Sequence, residues 1–144
     1  MIEHRRSPRK TDYLPVDVHV VSQKDGRNLA GPFSGRIIDI SDHGACLLMS
    51  QIIRNGYHLF YSTQENEIAL FQLTINTLDE SAVFSLQATP IWMTIFNQQE
   101  IRAFKIGVNF TGSPDEQRML ELQKIIQENQ EQRAHWWKKH YKPQ

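Results

Sequence analysis

The chain has 144 residues, enough for one domain with a real core and too few for two ordinary ones. Sixteen Lys plus Arg balance sixteen Asp plus Glu, so net charge steers no partner, and 40% apolar with 10% aromatic residues is a globular composition. The single cysteine, Cys46, excludes an intrachain disulfide, and the opening MIEHRRSPRK lacks the apolar stretch of a secretory signal, so a cytoplasmic protein is expected.

Charge is local rather than global. The first ten residues hold Arg5, Arg6, Arg9 and Lys10 against Glu3, a segment about three charges positive. Residues 1–14 are therefore read as a basic arm, 15–112 as a β domain and 113–144 as a helix with an extension.

Val16, Val18 and Val20 alternate with Asp17, His19 and Val21, the period of two that marks a strand with one buried face over Pro15–Ser22. A turn at Lys24–Arg27 follows. Two short β runs, Phe33–Ile40 and Ala45–Met49, flank the turn formers Ser41-Asp42-His43-Gly44 and predict a hairpin. Further β-rich stretches are Tyr57–Tyr61, Glu67–Leu78, Val83–Phe96 and Ile101–Phe110, spaced as in an antiparallel barrel or sandwich. Pro90 cannot donate to a ladder, so it belongs at an edge or a bulge. Ser81–Gln99 carries no charge, but its Ser, Gln, Thr, Asn and Pro content is too polar for a membrane-spanning helix.

Helical signals begin only after Gly112. Ser113 suits an N-cap, Pro114 the first turn, and Asp115 and Glu116 the positive end of the dipole. Met119, Leu122, Ile125 and Ile126 then make one apolar face. The polar run Gln127–Arg133 and the later Trp136, Trp137 and Tyr141 leave open a longer helix that pairs with a second copy as a homodimer.

Catalytic patterns are absent: there is no nucleophile elbow, phosphate loop or His-Glu-x-x-His, and no metal set, since His135 and His140 are five apart. An enzyme is not expected. Two other features stand out. In Arg5-Arg6-Ser7-Pro8-Arg9 the outer arginines are four apart on a segment where Pro8 discourages helix. Their planar forks suit phosphate oxygens and the O6/N7 edge of guanine. In Asp39-Ile40-Ser41-Asp42-His43-Gly44, a carboxylate and a hydroxyl stand two apart at a strand end, and Gly44 permits a turn or a close approach. Taken singly, the first is ordinarily a solvated tail and the second a hairpin turn.

In order, Arg-x-x-x-Arg at 5–9, Asp-x-Ser-x-x-Gly at 39–44 and Lys105-Ile106-Gly107-Val108-Asn109-Phe110 resemble the PilZ domain family of cyclic di-GMP receptors over about residues 3–126. Trp92 falls where such domains often carry an aromatic. The resemblance implies a mainly β fold, a six-stranded antiparallel barrel with a C-terminal helix. It also implies a receptor in bacterial second-messenger signalling, with cyclic di-GMP as ligand and no cofactor. Arg5 and Arg9 would grip phosphate and guanine from the arm, Asp39 and Ser41 would fix a guanine on the barrel, and Gly44 would allow close approach. Arg6 and Lys10 would assist as extra cations. Output would pass to an unknown downstream protein or through a change of oligomer. An adaptor that keeps the fold without binding nucleotide is the alternative. Nucleic acid is not an expected partner, because residues 11–114 carry six bases against ten acids.

Overall fold

A computed structural model describes residues 10–76, 83–98, 101–111, 117, 119–125 and 127–128. Six long strands carry the fold: β1 (Lys10–Ser22), β2 (Asn28–Ile40), β3 (Gly44–Met49), β6 (Ala69–Asn76), β7 (Val83–Gln98) and β8 (Ile101–Phe110). They close into a barrel in the order β1-β2-β3-β8-β7-β6, with every neighbouring pair antiparallel. Between β3 and β6 lie a small hairpin, β4 (Ile53–Arg54) with β5 (Tyr57–His58), and one helical turn, α1 (Tyr61–Gln64).

The alternation in the first strand has the expected cause. Leu14, Val16, Val18 and Val20 are buried while Asp17 and His19 are only partly covered. The strand begins at Lys10, five residues before the alternation at Pro15, because β2 extends far enough to pair Lys10 with Ile40 and Thr11 with Asp39. Facing residues from the other strands, among them Phe33, Ile37, Leu47, Phe71, Leu73, Ile75 and Ile106, complete the interior. Each such side chain contributes about 1.5–3 kcal/mol on burial. Closure depends on β1 meeting β6, with Val16 opposite Ile75 and Ser22 opposite Ala69, and on β3 meeting β8.

The predicted turns are where the chain reverses. Gly26 takes a φ of 73°, its N–H donates to the Ser22 carbonyl, and the Arg27 N–H donates to the Asp25 carboxylate. Pro90 sits at the register shift between Pro90 and Trp92, past the last β6 partner at Ala88, so its missing N–H interrupts no ladder. The Tyr57–Tyr61 stretch departs from expectation, since strand stops at His58 and α1 follows. Local bonds accompany the change: His58 Nδ1 accepts the N–H groups of Phe60 and Tyr61, and Ser62 Oγ accepts the His58 N–H, which ties the end of β5 to the first turn of α1. Asn55 and Gly56 both have positive φ, the two-residue turn that joins β4 to β5.

After the barrel, the helix α2 is described at 117, 119–125 and 127–128. Met119 and Leu122 are buried and Ile125 packs on the core, as the apolar spacing predicts, while Leu120 faces out. The expected N-cap Ser113 with Pro114 to Glu116, the side chain of Ile126, and the extension with Trp136, Trp137 and Tyr141 lie outside the described residues. No described helix is long and apolar enough to cross a membrane.

Candidate functional site

The register of three strand pairs assembles a surface that spacing in the chain does not reveal. Asp39 on β2 stands opposite Cys46 on β3, Cys46 opposite Gly107 on β8, and Gly107 opposite Trp92 on β7. Their chain neighbours Ile40, Ala45, Leu47, Ile106 and Val108 fill the core, so this row lies on the outer face of the barrel. At about 4.8 Å per strand the row spans roughly 14 Å from Asp39 to Trp92. A second row runs beside it, with Arg36 opposite Leu48, Leu48 opposite Lys105, and Lys105 opposite Thr94. One outer face thus carries an acid at one end, an indole at the other and two cations alongside.

Gly107 is small because Trp92 lies on it: a Cβ at Gly107 would sit inside the indole ring. The ring is thereby laid against the sheet while remaining 42% exposed, a preformed stacking surface for a flat apolar or aromatic group. Cys46, although on the outer face, is only 5% exposed.

The β2–β3 corner is built differently from expectation. Ser41 lies beyond the end of β2 in the turn and is 6% exposed. Its N–H donates to the Gly44 carbonyl at 2.9 Å, and its Oγ accepts the His43 N–H at 3.3 Å while reaching the Gly44 carbonyl at 3.5 Å. The hydroxyl is thus turned onto its own loop, whereas Asp39 is half-buried on the strand. Gly44 is buried, and a Cβ there would collide with the Val108 carbonyl oxygen of β8. The close approach that this glycine allows is of one strand to another. The corner is further held by the Phe110 N–H donating to the His43 carbonyl at 2.8 Å, and by Gln123 of α2 donating to the Asp42 carboxylate at 2.6 Å.

Of the cations singled out in the sequence, Arg5, Arg6 and Arg9 lie outside the described residues, and of Lys10 only the backbone is described. That backbone pairs with Ile40, and its neighbour Thr11 with Asp39. Arg36, Lys105 and Trp92 are contributions to the same face that reading the motifs alone does not assign. A signal for Trp92 is present in the chain, since Gly107 in the middle of a β run marks a close approach. Among the described residues, no group of three or more His, Cys, Asp or Glu is placed to hold a metal ion.

A closed six-stranded antiparallel barrel with a helix packed on its core and a polar and aromatic outer face defines a small β-barrel domain. The chain belongs to the PilZ domain family, whose profile matches residues 3–128. Solved structures of the same fold include the PilZ domain of YcgR from Escherichia coli with c-di-GMP, at 17% identity and a TM-score of 0.59, covering 92% of this chain and 97% of that one. The Borreliella burgdorferi PlzA protein in complex with c-di-GMP is similar at 13% identity and a TM-score of 0.54, covering 88% and 53%. The Bacillus subtilis inhibitor of motility MotI/DgrA is similar at 16% identity and a TM-score of 0.53, covering 92% and 54%. The chain thus spans nearly all of the first and about half of the other two. Comparison with curated proteins finds no match.

Proposed function

We propose that the protein is a cytoplasmic receptor for cyclic di-GMP, acting by binding rather than catalysis. Its ligand would be held between the Arg5–Arg9 segment and the outer face that carries Asp39. Family membership supports the ligand class, as do the relatives solved with c-di-GMP. The observation that carries the site is the pairing of Lys10 with Ile40 and of Thr11 with Asp39. The strand whose first residue follows Arg9 in the chain runs beside the one that bears the acid, so the first motif is joined directly to the neighbour of the strand that carries the second.

In this reading Arg5 and Arg9 supply forked donors to phosphate and guanine, and Asp39 accepts from a guanine edge. Arg6 and Lys10 add positive charge. Ser41 and Gly44 act on the ligand by shaping the corner beneath it. Arg36 and Lys105 favour the ligand's phosphates, and Trp92 offers a face to a base. An Arg–guanine bidentate contact is worth about 1–3 kcal/mol, and stacking a similar amount per base. Binding would draw the basic segment against the barrel and present a new surface to a downstream protein.

Calorimetry with cyclic di-GMP on the wild type, Arg9→Ala and Asp39→Ala tests this, with GTP and single-stranded DNA as controls. Saturable binding is expected for the wild type, with a loss of ten-fold to over a hundred-fold in each variant. Equal affinity in all three proteins would refute the site. No binding to the wild type would favour the adaptor that keeps the fold without the nucleotide. Hydrogen exchange over residues 1–14 checks the arm separately, since protection there must rise at saturating ligand.

A further inference from the structure

The closed barrel leaves one long strand half covered. β6 accompanies β7 only from Val83 to Ala88, whereas β8 accompanies it through Gln98. Among the described residues no strand pairs with Ile91–Gln98 on the side away from β8. At the start of this edge the Pro90 carbonyl accepts the side-chain amide of Gln64 from the end of α1, and beyond it no strand among the described residues covers the edge. Ile91 is 49% exposed and Ile95 52%, and Thr94 and Asn97 are exposed as well.

Natural proteins guard such edges with lysines, prolines, bulges or brevity. Here the proline and the bulge lie at Pro90–Trp92, before or at the beginning of the open edge, and the stretch Ser81–Gln99 contains no charged residue. An eight-residue stretch that directs alternate N–H and C=O groups away from β8, with two exposed isoleucines and no guarding charge, makes a template for another strand.

We infer that this edge joins a second copy of the same chain, β7 against β7 in antiparallel register, forming a two-fold dimer with a continuous sheet across it. The sequence of the edge favours this occupant. Pairing centred on Met93 sets Ile91 of one copy against Ile95 of the other, Met93 against Met93 and Trp92 against Thr94, so apolar side chains meet on one face. No like charges are juxtaposed, because neither copy brings any. A charged strand from another protein would instead lose the hydration of its charges against isoleucine. Within the open edge this register pairs five residues of each copy, 91–95, roughly 16 Å at 3.3 Å per residue, so the association is weak and concentration-dependent.

Sedimentation equilibrium of the full chain over a wide concentration range tests the inference, together with amide hydrogen exchange of residues 91–98. The wild type is expected to move reversibly from 16.8 kDa toward twice that mass. Alternate amides of the edge should gain protection as it does. Ile95→Lys, at an exposed position, is expected to keep its far-UV spectrum and to weaken association more than ten-fold. A wild type that stays monomeric throughout would overturn the inference. So would an Ile95→Lys variant that dimerises like the wild type, or a dimer in which residues 91–98 remain unprotected, as pairing through α2 would give.

Discussion

The β2–β3 corner and the outer half of β7 sit on the same barrel and treat their polar groups in opposite ways. At the corner, Ser41, His43 and Gly44 bond to one another, β8 bonds to His43, and α2 bonds to Asp42. On β7 past Pro90, the backbone edge and two isoleucines face outward. The contrast teaches that residues of one motif can be spent on holding the chain together while an edge of the same barrel keeps its polar groups outward. At this corner the Ser41 hydroxyl bonds within its own turn and Gly44 lies against β8, while Arg36, outside the corner motif, stands on the same outer face as Asp39.

Substitutions can break or sharpen that contrast. The largest effect is expected from Gly44→Ala, whose new methyl meets backbone rather than a movable side chain, and a loss of about 3 kcal/mol should appear in urea denaturation. A variant as stable as the wild type would show that β3 and β8 are less tightly apposed than described. Trp92→Ala should behave in the reverse sense, with little change in the urea midpoint but a weakening of cyclic di-GMP by roughly 1–3 kcal/mol, about ten-fold or more, in calorimetry. Should the affinity stay put, the indole is no part of the site.

Smaller effects separate support from contact within the corner. Ser41→Ala removes the acceptor of the His43 N–H and is expected to cost about 1 kcal/mol of stability, measured by thermal denaturation. A loss of affinity far beyond that amount would mean that the hydroxyl also reaches the ligand. Gln123→Ala frees the exposed bond to Asp42, and a decrease of only about 0.5 kcal/mol is expected, with faster amide exchange in 119–125 as the more sensitive readout.

The smallest change is set by pH. Burial holds the His58 imidazole below its ordinary pKa of 6.5, and the neutral Nδ1 is what accepts the Phe60 and Tyr61 N–H groups. The unfolded chain therefore binds the proton more readily than the folded one. This contribution is fully present above pH 6.5 and is lost as the pH falls through the lower folded value. Urea midpoints should decline slightly on acidification through that window, and less so in His58→Asn, whose side chain cannot take up the proton.

Much of the fold was legible because strands and turns are local. The valines of β1 alternate with period two, Gly26 and the Ser41–Gly44 loop mark reversals, and Met119, Leu122 and Ile125 repeat at helical spacing. The hairpin at Asn55-Gly56 was not read from the chain, because its strands are only two residues long, too short for alternation to register. α1 was not readable as helix, because Tyr57–Tyr61 is rich in aromatic β formers and the side-chain bonds of His58 and Ser62 that flank the turn leave no mark in its composition. For the candidate site, the motif residues could be named from the chain, but the bonds that Ser41 makes within its turn and the contact of Gly44 with β8 could not.

The amino-acid sequence by itself determined which segments are extended, where they turn, which face of each is apolar, and the family to which the pattern is similar. Those properties follow from side-chain periodicity and backbone preference within a few residues. Only the tertiary structure decided that Asp39, Cys46, Gly107 and Trp92 form one row, that Gly44 yields space to Val108, and that β7 outruns β6 and leaves an edge. Each of these depends on the register between strands distant in the chain, and register is set when the whole barrel closes around its core.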